Sequence, residues 1–232
     1  MKYSTARLSV FFAASLLGAV SVAQGSDLVD QMHERYERIF QIQSAIVSGS
    51  LDNTRAPARW LAEHEPTAGM PETWTEPFEA MRAAARDVLS AEDLPSVASA
   101  TSRIGIACGS CHEANDVSIE FDYVKPPPDT ENARPHMQRH QWAADRMWEG
   151  LIGPINYVWR QGATMLFESP LKPHAMDAED GDEEVLAMSR RIHQLAGNAT
   201  TVSEPADKAE IYAEFLATCA ACHNAMDEGP GH

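Results

Sequence analysis

The stretch Cys108-Gly109-Ser110-Cys111-His112 has a counterpart 111 residues later, Cys219-Ala220-Ala221-Cys222-His223. Both stretches hold two cysteines three positions apart, and a histidine follows directly. On a helix, residues three apart lie on one face, so both thiols can reach one edge of a flat group. The histidine can then turn its imidazole beneath the centre of that group. This C-x-x-C-H pattern is the attachment site of c-type haem, in which the thiols add to porphyrin vinyl groups and the histidine binds the iron.

A single C-x-x-C is also found in redox dithiols and as half of a zinc site. Here all four cysteines of the chain lie in the two motifs, and each motif ends in histidine. We therefore expect two covalently bound haem c groups. The expected attachment residues are Cys108, Cys111, Cys219 and Cys222, and the expected proximal iron ligands are His112 and His223.

The N-terminus has the pattern of a secretory signal peptide. Lys2 and Arg7 precede an apolar segment over residues 8–20, and Ser21-Val22-Ala23 has the small-x-small form of a cleavage site. We expect cleavage after Ala23 and export to the periplasm. The alternative is an uncleaved membrane anchor, but the apolar segment is short for a membrane span. No other stretch is apolar enough to cross a membrane, so we expect no transmembrane segment in the mature chain.

The chain is strongly acidic, with 18 basic and 34 acidic residues and a net charge of −16. Removal of residues 1–23 takes away two basic residues and no acidic one, which leaves −18. This charge disfavours nucleic-acid binding. It favours solubility and the docking of redox partner proteins with basic surfaces, although a simple solvated face would have the same composition.

Shifting the chain by 105 residues aligns it with itself outside the motifs. The aligned pairs are Met32 and Met137, Ile46 and Leu151, Val47 and Ile152, Ala58 and Ala163, and Leu61 and Leu166. Because the motifs are 111 residues apart, the second copy has gained six residues, for which the acidic stretch 178–184 is the natural place. The chain therefore contains an internal repeat.

Helical periodicity and terminal residues predict four helices in each copy. The predicted ranges are about 27–48, 53–64, 76–89 and 95 to the first motif, then 134–152, 156–167, 183–195 and 205–224. No sustained strand pattern is present. We predict an all-α fold of two tandem antiparallel four-helix bundles, each with one covalent haem c. The predicted divisions are a signal peptide at 1–23, a first haem domain at 24–120, a Pro-rich linker at 121–133 and a second haem domain at 134–232.

The residue on the far side of each iron decides what the haem can do. Met32 and Met137 occupy matching positions in the repeat, which makes them the candidate distal ligands. The alternative is that both simply fill the core, as helical methionines commonly do. His33, His136 and His140 lie nearby without matching one another across the repeat, and we interpret them as surface or haem-edge residues.

The motifs, the export signal and the helix order together resemble the class II cytochromes c, the cytochrome c-prime group. In that family the motif lies on the last helix, which matches Cys108, Cys111 and His112, then Cys219, Cys222 and His223. The distal residue comes from the first helix and falls on or near Met32 and Met137. Family members mostly have one domain, whereas this chain has two. The family includes five-coordinate members that bind gases and six-coordinate members that carry electrons.

These observations predict a periplasmic dihaem electron carrier that acts between redox partners. The alternative is a protein that binds nitric oxide or carbon monoxide, with one or both haems five-coordinate. We do not expect an enzyme, because the sequence shows no distal acid–base pair and no set of convergent catalytic groups.

Overall fold

The computed structural model describes residues 17–65, 70–128, 133–168 and 183–226. The basic start of the predicted signal peptide lies outside these ranges, as does most of the acidic stretch 178–184. Within the described ranges all regular structure is helical and there is no strand, so the all-α prediction is confirmed.

The first copy of the repeat forms four α-helices and two short 3₁₀ helices. Its elements are α1 Leu17–Val47, a 3₁₀ helix Asp52–Thr54, α2 Arg55–Glu63, a 3₁₀ helix Glu72–Trp74, α3 Thr75–Ser90 and α4 Leu94–Ala114. The second copy forms α5 Ala133–Ile152, α6 Asn156–Glu168, α7 Glu183–Ala199 and α8 Pro205–Ala225. The predicted ranges agree with these to within a few residues, except that α1 begins at Leu17 rather than near residue 27.

The helix ends follow from local sequence. Asp93 caps α4, because its side chain accepts a hydrogen bond from the Ser96 amide at 2.7 Å. The helix α1 ends where Gly49 adopts a φ of +73°, a conformation that glycine reaches without steric cost. The Ser50 amide then donates to the Ala45 carbonyl at 2.9 Å, which closes the last turn.

The last turn of α5 is closed by the equivalent hydrogen bond. The Ile155 amide donates to the Gly150 carbonyl at 3.0 Å. Both of these residues lie 105 positions after their counterparts in α1. The repeat therefore reaches the hydrogen bonds that end the first helix of each copy.

In each copy a side chain of the second helix donates hydrogen bonds to carbonyls at the end of the third helix. The side chain is an arginine in the first copy and a tryptophan in the second. The guanidinium of Arg55 donates to the Val88 and Leu89 carbonyls at 2.8 and 2.6 Å. In the second copy the indole of Trp159 donates to the Ala199 carbonyl at 2.8 Å. Each bond satisfies carbonyls that have no partner inside their own helix.

Residues 37–232 form one compact unit, in which α4 of the first copy packs against α8 and α5 of the second. Gly105 of α4 allows this approach, because a Cβ atom there would lie 2.7 Å from side-chain atoms of both Trp148 and Leu151. Trp148 is 2% exposed and fills the space that the small residue leaves. The division into two bundles joined by a linker stays a prediction.

The length and hydropathy of the helices decide whether any of them can span a membrane. Among the helices of the described residues, none combines the length and the apolar character that crossing a bilayer requires.

The helix α5 carries a buried ion pair between Arg146 and Glu149. Burial raises the pKa of Glu149 to about 7, although the charge and hydrogen bond of Arg146 act in the opposite direction, and nearby Asp145 adds to the rise. The folded pKa is thus above the ordinary value of 4.5. Between these two values the folded chain holds more protons at this site than the unfolded chain does, so stability falls as the pH rises.

We therefore expect the free energy of unfolding to lose roughly 3 kcal/mol at this site between pH 5 and pH 8. The measurement is urea unfolding at pH 5, 6, 7 and 8 for the wild type, Glu149→Gln and Glu210→Gln. Glu210 is an exposed glutamate of α8 and serves as the control. The decline should be much weaker in Glu149→Gln and unchanged in Glu210→Gln. Equal declines in all three proteins would contradict the prediction.

Candidate haem-binding sites

The two motifs occupy equivalent places at the C-terminal ends of α4 and α8. His112 lies two residues before the end of α4, and His223 lies two residues before the end of α8. Residues three and four positions before the first cysteine share its helix face. The residues at those positions are buried in both copies. They are Ile104 and Gly105 in α4, and Phe215 and Leu216 in α8. Each first cysteine therefore lies on the buried stripe of its helix.

Both motif histidines make the same hydrogen bond to a helix end. The Nδ1 atom of His112 lies 2.7 Å from the Ile152 carbonyl oxygen, and that of His223 lies 3.0 Å from the Val47 carbonyl oxygen. Val47 and Ile152 are the last residues of α1 and α5, so their carbonyls have no partner inside the helix. A carbonyl only accepts, so Nδ1 carries the proton and donates it.

This tautomer leaves Nε2 of each imidazole with a lone pair for a metal. Histidine ligands commonly donate the other ring N–H to a carbonyl or carboxylate, which fixes the ring and raises its basicity. The His112 and His223 side chains therefore fit the proximal role that the sequence predicts. The four thiols and two imidazoles match the donor set of two haem c groups.

The two bonds cross between the copies. His112 of the first copy bonds to α5 of the second, and His223 of the second copy bonds to α1 of the first. Val47 and Ile152 are equivalent positions in the repeat. The sequence shows this equivalence but not the crossing, because nothing in the motif says which helix end its histidine will meet.

Three of the four thiols, those of Cys111, Cys219 and Cys222, lie in surroundings unlike those of a reactive dithiol. None of the four cysteines, all within the described residues, forms a disulfide. Burial raises the pKa of the Cys219 thiol to about 12 and also raises the pKa of Cys222. Burial raises the pKa of Cys111 too, against a hydrogen bond with Asn115 that lowers it. Redox-active C-x-x-C motifs instead lower the pKa of a thiol, by nearby positive charge or a helix N-terminus.

The zinc alternative would need further ligands beside a cysteine pair. In the described part of the chain, no three histidine, cysteine, aspartate or glutamate side chains come together as a metal site.

The packing of α5 against α8 relates Met137, the candidate distal residue of the second copy, to the second motif. The Trp148 ring contacts the Tyr212 ring, with centroids 5.5 Å apart, and Lys208 donates to Asn156 just beyond α5. Residue numbers rise along one helix as they fall along the other, so the two helices run antiparallel.

Helix geometry then relates Met137 to His223. Met137 lies eleven residues before Trp148, and His223 lies eleven residues after Tyr212. Eleven residues advance a helix by about 16 Å and turn it by about 20° beyond three full turns. Ideal helices would therefore bring Met137 to the level of His223, on the stripe of α5 that contacts α8.

His136 and His140 lie on either side of Met137 in α5, and His140, three residues after Met137, lies on a neighbouring part of the same helix surface. His140 is seven residues before Met147 and shares its stripe, which contacts Gly162 of α6. The rings of His136 and His140 are 4.7 Å apart. His136 is 5% exposed, so it is not a surface residue, and its interpretation as a haem-edge residue stays a prediction. A helix that is buried on two sides, against α6 and against α8, explains this, and Trp148 and Met147 mark the two stripes.

Met32 and His33 lie on α1. Met32 is half-buried and His33 is exposed, as expected for a surface residue. The assignment of Met32 as a distal ligand rests on its equivalence to Met137 in the repeat.

A cleft of about 370 Å³ lies between α7 and α8. It lies on the face of α8 opposite to the first cysteine of the motif. It is lined by Met188 and Arg191 of α7 and by Ala217 and Ala221 of α8. The two alanines stand two residues before and after Cys219, so they lie roughly opposite to it on the helix. The cleft therefore takes no part in the candidate site.

Comparison of the chain with family models, curated proteins and solved structures found no match.

Proposed function

We propose that this chain is a periplasmic c-type cytochrome of the class II kind, which carries electrons between redox partners by means of two covalently bound haem c groups. One observation carries the proposal. Each C-x-x-C-H motif ends a helix on its buried stripe, with the histidine Nδ1 bound to a carbonyl and Nε2 left for iron. This arrangement occurs twice, at equivalent positions.

When bound, the haem iron supplies one-electron chemistry by cycling between ferrous and ferric states. The chain holds and surrounds the group. The cysteines of each motif anchor the porphyrin, and the histidine is fixed by its carbonyl partner. Along the cysteine stripe of α8, the Tyr212 and Phe215 rings lie 6.1 Å apart and both are buried. A packed apolar wall of this kind keeps the surroundings of the iron rigid during electron transfer.

The proposed ligation by Met137 would make the second haem an electron carrier rather than a gas-binding site. A thioether at the level of His223 would close the sixth iron position and raise the reduction potential. A gas-binding haem needs that position open. We propose the same role for Met32 at the first haem, on the basis of the repeat.

The acidic surface predicts how partners dock. A net charge of −16 attracts basic proteins over a distance, and salt screens that attraction. We expect electron exchange with a small basic c-type cytochrome to slow by about tenfold or more between 10 and 200 mM salt. Stopped-flow absorbance measures the rate, and an uncharged ferrocene derivative serves as the control oxidant. A rate with the basic partner that does not depend on salt would contradict the docking proposal.

A further inference from the structure

We propose that each half of the chain positions and tunes the proximal histidine of the other half, so that the two haems form one interdependent redox unit. This inference rests on the proposed haem function. It assigns a positioning role to the C-terminal residues of α1 and α5, Val47 and Ile152. It implies that neither copy of the repeat contains a complete proximal site of its own.

The two crossed hydrogen bonds are short and use acceptors that are otherwise unpaired within their helices. They measure 2.7 and 3.0 Å, and each uses a carbonyl that no other residue of its helix can satisfy. The negative end of the helix dipole adds to the attraction for a donor. The acceptors are held in place, because both helices close by the same bond, from Ser50 to Ala45 and from Ile155 to Gly150.

A glycine lies at each crossing, close to the other half of the chain. A Cβ atom on Gly109, inside the first motif, would lie 2.6 Å from the Leu151 carbonyl oxygen. A Cβ atom on Gly49, just beyond α1, would lie 2.0 Å from the side-chain oxygen of Asn224, the residue after His223. Gly109 therefore lets the first motif approach the backbone at the end of α5, whereas Gly49 is favoured at its position by its φ of +73° and leaves room for the Asn224 side chain.

The electronic consequence has a definite sign. An Nδ1–H group that donates to a carbonyl makes Nε2 a stronger base, which stabilises ferric iron and lowers the potential of that haem. Loss of the bond should therefore raise the potential. The crossed geometry makes the change appear in the half of the chain that was not altered.

Proline substitution can redirect these carbonyls within the full-length holo-protein. Proline disfavours the helical conformation of the residue before it, so Ser48→Pro should turn the Val47 carbonyl away from His223. Ser48 and Gly153 are equivalent in the repeat, and Gly153→Pro should do the same to the Ile152 carbonyl. Ser48→Ala keeps the helical backbone and is the control.

The readout is a potentiometric titration of both haems. His112→Met alters one iron ligand and so identifies which step belongs to the first haem. We expect Ser48→Pro to raise the potential of the haem at His223 alone, and Gly153→Pro to raise that of the haem at His112 alone. Ser48→Ala should change neither. A shift in the altered half only, or no shift with both haems present, would overturn the inference.

Hydrogen exchange tests the bonds if a proline variant does not fold. In ferrous protein labelled with ¹⁵N-histidine, the Nδ1 protons of His112 and His223 should exchange slowly with solvent. Rapid exchange of both would overturn the inference. A wild-type chain that carries no covalent haem would instead refute the proposed function, and the exchange measurement could still be made on it.

Discussion

Replacing Cys219 and Cys222 by serine should reduce the haem content from the expected two groups per chain to one. Each haem is expected to be covalently attached to its own pair of thiols, and a serine hydroxyl does not form the thioether. The haem on Cys108 and Cys111 should remain, because its motif is intact. Intact-protein mass and the pyridine haemochrome spectrum count the groups.

The chain offers a matched control for this loss. The residue before the second cysteine is Ala221 in one motif and Ser110 in the other. Ala221→Ser therefore places the first motif's residue in the second, on an exposed position, and should keep both haems. If the double serine variant retained two covalent haems, the motif would not be the attachment site.

Substitution of Met137 by alanine should open the sixth position of the haem at His223. We expect the ferrous protein to bind one carbon monoxide per chain where the wild type binds none, and the potential of that haem to fall as the thioether is lost. Optical titration with carbon monoxide measures the first effect, and potentiometry measures the second.

Met147→Leu is the control for packing at this helix. Met147 is buried on α5, but on the stripe that contacts α6, and leucine conserves its volume closely enough for a small change in stability. It should leave the haem spectrum unchanged. If Met137→Ala stayed low-spin and bound no carbon monoxide, while His136→Ala or His140→Ala opened the site, the ligand would be a histidine.

Local sequence predicted the helices well because their ends carry local signals. The cap at Asp93, Pro205 at the start of α8 and Gly49 after α1 all act within one turn of the chain. The repeat was visible because buried positions such as Leu61 and Leu166 constrain residue type in both copies.

These local signals do not predict that the histidine of each motif bonds to a helix of the other copy. This crossing depends on long-range packing of α4 against α8 and α5, which periodicity within one helix does not specify. One signal was present. Gly105 and Gly109 lie inside a helix, where glycine costs about 1 kcal/mol relative to alanine, and such residues commonly mark a close approach.

The misplacement of His136 has a related cause. The apolar positions of α5 form two stripes, one through Trp148 toward α8 and one through Met147 toward α6. A helix buried on two sides has no single surface face, so the polar character of a residue near its N-terminus does not show that it is exposed. His33 on α1, by contrast, is exposed.

The most direct test of the two-haem electron carrier is the optical spectrum of the purified holo-protein, ferric and ferrous, with and without carbon monoxide. We predict two covalent haems per chain, sharp low-spin bands in both oxidation states and no change with carbon monoxide. A change in half of the absorbance would show that one of the two sites is open. Broad high-spin bands that shift fully with carbon monoxide would contradict the electron-carrier proposal and support gas binding, and a spectrum without haem bands would refute the account.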